Sequence, residues 1–153
     1  MLRLQIVIVV LAGLLRLDGC SPTVTVQNST RFAVRVVVSS GGQTEVLSPS
    51  PGESSAAEVS EGPYRVTAIP DAEWITWAQL TRKDLNEQLA NSDKLSGPQL
   101  LNVIQRLKTI AARMQEYEKA GLGASCGGTV TQDSGGVATV SLGADGKIVA
   151  SCK

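Results

Sequence analysis

Histidine is absent from this 153-residue chain, and its aromatic side chains number only two Trp, two Tyr and one Phe. Without imidazole there is no Ser-His-Asp triad, no His-ligated zinc and no His proton shuttle. An excess charge of one sign is missing as well. The 14 Lys+Arg balance the 14 Asp+Glu, so no net field draws the chain to nucleic acid. No calcium loop of alternating Asp or Asn occurs, and no Ser-x-x-Lys pair. Paired carboxylates for hydrolysis have weak support, since the closest acids ahead of an aromatic, Asp71 and Glu73, already fit a helix start. These absences argue against an enzyme and against any metal or cofactor. The length is that of one ordinary domain.

What is present begins with an address. Met1-Leu2-Arg3 precedes Leu4 to Leu15, apolar except for Gln5, which is the layout of a secretory signal. Twelve helical residues reach about 18 Å, short of a bilayer core of about 30 Å. Leu17-Asp18-Gly19-Cys20 then resembles the lipobox of bacterial lipoproteins. The resemblance covers the N-terminus alone. It implies cleavage after residue 19, diacylglycerol on the Cys20 thiol and, with Ser21 next, sorting to an outer membrane where the cell has one. The lipid bilayer is then the first partner, and the chain sits on the extracytoplasmic side of a bacterial envelope. Two or more acyl chains hold a protein stably on a membrane. Removing Arg3, Arg16 and Asp18 with the leader leaves 12 basic and 13 acidic side chains, net −1, so no polybasic patch assists.

Two cysteines remain, Cys126 and Cys152. An even pair in an exported domain reads as one disulfide. Geometry argues the other way if Thr129 to Cys152 forms a three-strand meander. The cysteines then stand at opposite ends of one sheet, roughly 15 Å apart at about 3.3 Å per residue, whereas a disulfide needs Cα atoms within about 7 Å. The glycine-rich stretch Gly121 to Gly128 is expected as a loop able to fold back.

Residues 23–70 read as strands. Thr23 to Val26 alternates, and Phe32, Val34, Val36 and Val38 share one face opposite Arg35. Asn28-Ser29-Thr30-Arg31 is a turn, and its first three residues also spell a glycosylation acceptor. Gln43 to Ser48, Ala56 to Ser60 and Tyr64 to Ile69 are further candidates, separated by Gly, Pro and Ser. The run Pro51-Gly52-Glu53-Ser54, a short strand, Gly62, then Tyr64-Arg65-Val66 resembles extracytoplasmic β-sandwich modules of immunoglobulin-like or prealbumin-like type, a resemblance that implies no activity.

Residues 71–120 read as a helical hairpin. Asp71 is a natural N-cap, with Glu73 in the first turn. Trp74, Trp77, Ala78, Leu85 and Leu89 share a face. After a connection over 91–97, a second stripe runs through Leu100, Val103, Ile104, Leu107, Ile110, Ala111, Met114 and Tyr117, and Gly121 closes it. Residues 129–152 return to strands, with Asp145-Gly146 as a hairpin turn. The sum is an α+β domain over 20–153, an antiparallel β-sandwich or single sheet with an inserted helical hairpin that either covers a face or projects.

Trp74 and Trp77 are the candidate partner-binding residues. Spaced three apart on a helix, they fit a buried stripe better than an exposed platform. The expected function is a non-enzymatic binding module tethered to the envelope, its partner an envelope protein or the cell wall. The alternative is an inhibitor of an external hydrolase, inserting a rigid loop at Gln43 to Glu53 that carries Pro49 and Pro51.

Overall fold

The computed structural model describes residues 21–153. The expected leader, residues 1–19, and Cys20 lie outside the described residues. The chain runs β1 (Thr23–Asn28), β2 (Val34–Ser40), β3 (Gln43–Leu47), β4 (Ser54–Glu58) and β5 (Gly62–Pro70). It continues through α1 (Ala72–Ala90) and α2 (Gly97–Lys119) to β6 (Ala124–Val130), β7 (Gly136–Leu142) and β8 (Ile148–Cys152). The eight strands form two four-stranded sheets, ordered β4-β1-β7-β8 and β3-β2-β5-β6. The architecture is α+β with a sandwich-like pair of sheets and an inserted helical hairpin.

Strand alternation positions the core. Val24 and Val26 of β1, Val34, Val36 and Val38 of β2, and Val66 and Ala68 of β5 are buried between the sheets. Arg35 and Arg65 point outward, as period-2 patterning requires. All pairings are antiparallel except β1 with β7.

The meander expected after residue 129 does not form. β6 pairs with β5 in one sheet, while β7 and β8 pair in the other. The loop expected at 121–128 is largely strand β6. Its glycines disguise it, because a strand interior seldom contains Gly. Here they have a packing reason. The Tyr64 ring lies where a Cβ on Gly128 or on Gly136 would come within 2.7 Å of its hydroxyl. One aromatic thus fills the space two side chains would occupy, one from each sheet.

This topology removes the geometric objection to the disulfide. β6 and β8 are edge strands of opposite sheets, and Cys126 and Cys152 are joined with Cα atoms 5.6 Å apart. The earlier distance assumed one sheet. Across the sandwich the two strands face each other, so the bond staples one open edge.

The turn after β1 is built on a fully buried amide. Asn28 Nδ2 donates to the carbonyls of Phe32 (2.9 Å) and Pro49 (3.0 Å). Its Oδ1 accepts from Thr30 N (2.9 Å) and Thr30 Oγ1 (2.7 Å). Its backbone adds Asn28 N to Glu53 O and Gly52 N to Asn28 O. Asn28 is 0% exposed, so the Asn-x-Thr spelling here marks a structural node, not a site for a glycan on the folded chain. The same network reaches the segment Gln43–Glu53 through Pro49. Its first half is β3, hydrogen-bonded to β2, and Pro49 is buried beneath it.

Candidate functional site: the helical arm

The segment between β5 and β6 leaves the sandwich as two antiparallel helices. Asp71 caps α1, its carboxylate accepting from Glu73 N at 2.9 Å, and Asp71 N donates to Ala33 O. Ser96 and Gln99 form a reciprocal capping box at the start of α2, with Pro98 in its first turn. Gly121 follows α2 at φ 78°, the left-handed conformation that ends helices. Each start and stop is therefore locally specified.

The two apolar stripes pack mainly on each other. Trp74, Ala78 and Leu85 of α1 and Val103, Ile110 and Met114 of α2 are buried. Neither helix lies along a sheet: the outer faces of both sheets keep their exposed alternate positions, and the extensive contacts of each helix are with the other helix. Attachment is at the base. Phe32, from the turn after β1, meets Trp74 and Tyr117 at ring-centroid distances of 5.8 and 5.4 Å. Trp74 and Tyr117 stack at 5.6 Å. Ile148 N donates to Ala120 O at 2.9 Å, and Arg31 pairs with Glu116 at 2.8 Å in a solvent-exposed setting, where such pairs contribute little. Burial pushes the Tyr117 hydroxyl pKa up, and the Asp71 charge adds to that.

The two tryptophans divide. Trp74 is 9% exposed and belongs to the aromatic base, whereas Trp77 is 53% exposed, its ring 6.4 Å from that of Trp74. The expectation that both serve the core holds for one of them. The stripe is two residues wide at this turn, and a layer of only two helices covers a single seam of each. Leu80 (64% exposed) and Leu101 (69% exposed) are left outside for the same reason.

A groove of about 390 Å³ runs between the helices beside Trp77. Leu85 and Ile110 form its apolar floor, Thr81 and Gln105 line it, and Arg106 and Arg113 supply its charge. No carboxylate lines it. Sequence reasoning missed these arginines; their signal was the absence of any acid between Gly97 and Gln115 while Arg106, Lys108 and Arg113 accumulate. The runs Arg82-Lys83-Asp84 and Glu116-Tyr117-Glu118-Lys119 are mixed-charge faces, apart from the inward Tyr117.

Residues 123–127, Gly-Ala-Ser-Cys-Gly, match the Gly-x-Ser-x-Gly pattern of a nucleophile elbow, a match that sequence reasoning overlooked. An elbow needs a sharp turn from strand into helix. Ser125 instead lies within β6, 3.0 Å from the Thr67 hydroxyl, and its neighbour Cys126 is in the disulfide. Among the described residues no three Cys, Asp or Glu side chains gather to hold a metal, and no helix is long and apolar enough to cross a membrane. No protein-family model matches the chain, and neither a curated protein nor a solved structure matches it.

Proposed function

We propose that the chain is a lipid-anchored lipoprotein of the bacterial envelope, and that its folded part is a non-enzymatic binding module presenting the helical arm to a partner. The polarity of the fold carries this reading. Ser21 and Pro22 lie beside the turn before β3, the β4–β5 connection and Gln132, which is the pole where β5 begins. The arm leaves the opposite pole, where β5 ends at Pro70 and β2 begins at Val34. A lipid on Cys20 thus tethers the near pole and points the arm away from the membrane. Nine residues of β5 and nineteen of α1 allow a reach of up to about 58 Å at about 3.3 and 1.5 Å per residue. The exposed Trp77, Leu80 and Leu101 lie on that arm. The alternative is an inhibitor that inserts the rigid segment Gln43 to Glu53; its first half is β3 and its Pro49 is buried, which leaves less of it to insert.

Two measurements test the proposal. Intact mass and fractionation of the wild type beside Cys20→Ala read the anchor. The expected wild type has lost residues 1–19, gained acyl mass and stays in the membrane fraction, while the variant does not. A photo-reactive phenylalanine in place of Leu80, compared with one in place of the outward-facing Arg35, reads the arm. Crosslinks concentrated at Leu80 are expected; equal yields at both positions reject the arm as the docking element.

A further inference from the structure

We infer that the groove between α1 and α2 takes an acidic amphipathic helix of a partner protein, with two carboxylates placed seven residues apart. The inference rests on the arm being the docking element and names what docks there. Arg106 and Arg113 are seven residues apart on α2, so they share a face about 10 Å apart along the axis. Asn102 and Thr109 complete the same stripe, at i, i+4, i+7 and i+11 from Asn102, and all four line the groove. Among the described residues the one ion pair is Arg31 with Glu116, which leaves both groove guanidiniums without a carboxylate. Arg113 Nε and, three residues on, Glu116 Oε2 are both shielded from solvent without a hydrogen-bond partner. A planar guanidinium without a carboxylate partner is suited to a bidentate one brought by a ligand.

The apolar part of the groove specifies the rest of the occupant. Leu85 and Ile110 at its floor are already covered, at 1% and 6% exposed, so the apolar surface open to a partner is chiefly the half-exposed Trp77 wall. Two antiparallel helices leave a furrow that a third helix fills with side chains at i, i+3, i+4 and i+7. A partner helix with this apolar stripe, and with Asp or Glu beside it every second turn, packs on Trp77 and meets both arginines together. The wider depression on the other side of the arm carries Arg82 and Lys83 together with Glu87 and Glu118, and its mixed charge selects no such partner.

The test uses the full, membrane-bound chain in its bacterial host. A photo-reactive phenylalanine replaces Thr109 in the groove, with the Leu80 position as a second probe on the same arm. Crosslinked peptides are then identified by mass spectrometry. The expected product at Thr109 is a segment of another protein with the stated acidic helical pattern. Its yield falls at least about tenfold in Arg106→Glu with Arg113→Glu, falls by less in Arg106→Lys with Arg113→Lys, which keeps the charge but loses the bidentate fork, and drops when salt is raised to about 1 M. A second copy of this chain, a glycan, a lipid or a segment without carboxylates overturns the inference. So does a yield that survives charge reversal, or no product at Thr109. Crosslinks at Leu80 with none at Thr109 reject the groove and keep the arm; none at either position rejects both.

Discussion

The sandwich and the arm bury their apolar residues in different ways. In the sandwich every inward position faces a second sheet. Valines fill it, Tyr64 occupies the holes left by Gly128 and Gly136, and a disulfide closes one edge. Apart from the β2–β3 and β7–β8 hairpins its pairings join distant segments: β1 meets β7 more than a hundred residues later. The arm is local. Two caps and two stripes specify it, and each helix has mainly the other to pack against. A two-layer sheet structure hides both inner faces completely, whereas a two-helix layer leaves apolar surface at its flanks. Trp77, Leu80, Leu101 and the groove arginines are left outside on the arm, while the apolar residues exposed on the strands of the sandwich are the smaller Val46, Ile69, Val137 and Val149.

That contrast can be broken or sharpened by experiment, beginning with the largest expected effect. Asn28→Ala removes four buried side-chain hydrogen bonds and should cost about 3–4 kcal/mol in urea unfolding; a cost below about 1 kcal/mol would show that the turn is not a node of the sandwich. Replacing Cys126 and Cys152 together by Ser should cost about 3 kcal/mol through loss of the cross-link on the unfolded chain. Hydrogen exchange should then rise in β6 and β8 while the middle of α1 keeps its protection. Leu85→Ala should cost about 2 kcal/mol, the low end for a buried leucine, because a two-helix layer can close over the cavity. A loss as large as that of Asn28→Ala would mean that the arm is packed as rigidly as the sandwich.

The smallest effect concerns pH. Burial raises the Tyr64 hydroxyl pKa above 10.0. The folded state therefore holds this proton more tightly than the unfolded chain. The stabilisation is whole below about pH 10 and is lost as pH rises through the folded value. Melting temperature should fall more steeply above pH 10 in the wild type than in Tyr64→Phe. At neutral pH that variant should differ by less than about 1 kcal/mol, since the long hydroxyl bond to Lys153 O (3.4 Å) is all it loses. Parallel slopes would show that Tyr64 is not sealed between the sheets.

Much of the arm was legible because its signals are local. Asp71, Ser96, Pro98 and Gly121 announce helix ends through backbone chemistry within four residues, and the α2 stripe repeats at the helical period. Most strands were legible through alternation. β6 was not, because Ala-Ser-Cys-Gly-Gly has neither β-branched residues nor alternation until Thr129; what makes it a strand is the tyrosine ring on its neighbour. The separate fates of Trp74 and Trp77 were equally hidden. Both occupy stripe positions, and which one is covered depends on Phe32, forty-two residues earlier.

By itself the sequence determined both helices, the strands other than β6, and which cysteines could pair, since periodicity, capping and residue count act over short distances. Only the tertiary structure decided that β6 joins β5, that Cys126 therefore faces Cys152, and that the hairpin projects with Trp77 and two unpaired arginines beside its groove. Those outcomes depend on which surfaces meet across the fold, and the chain carries that information only in the sum of its long-range contacts.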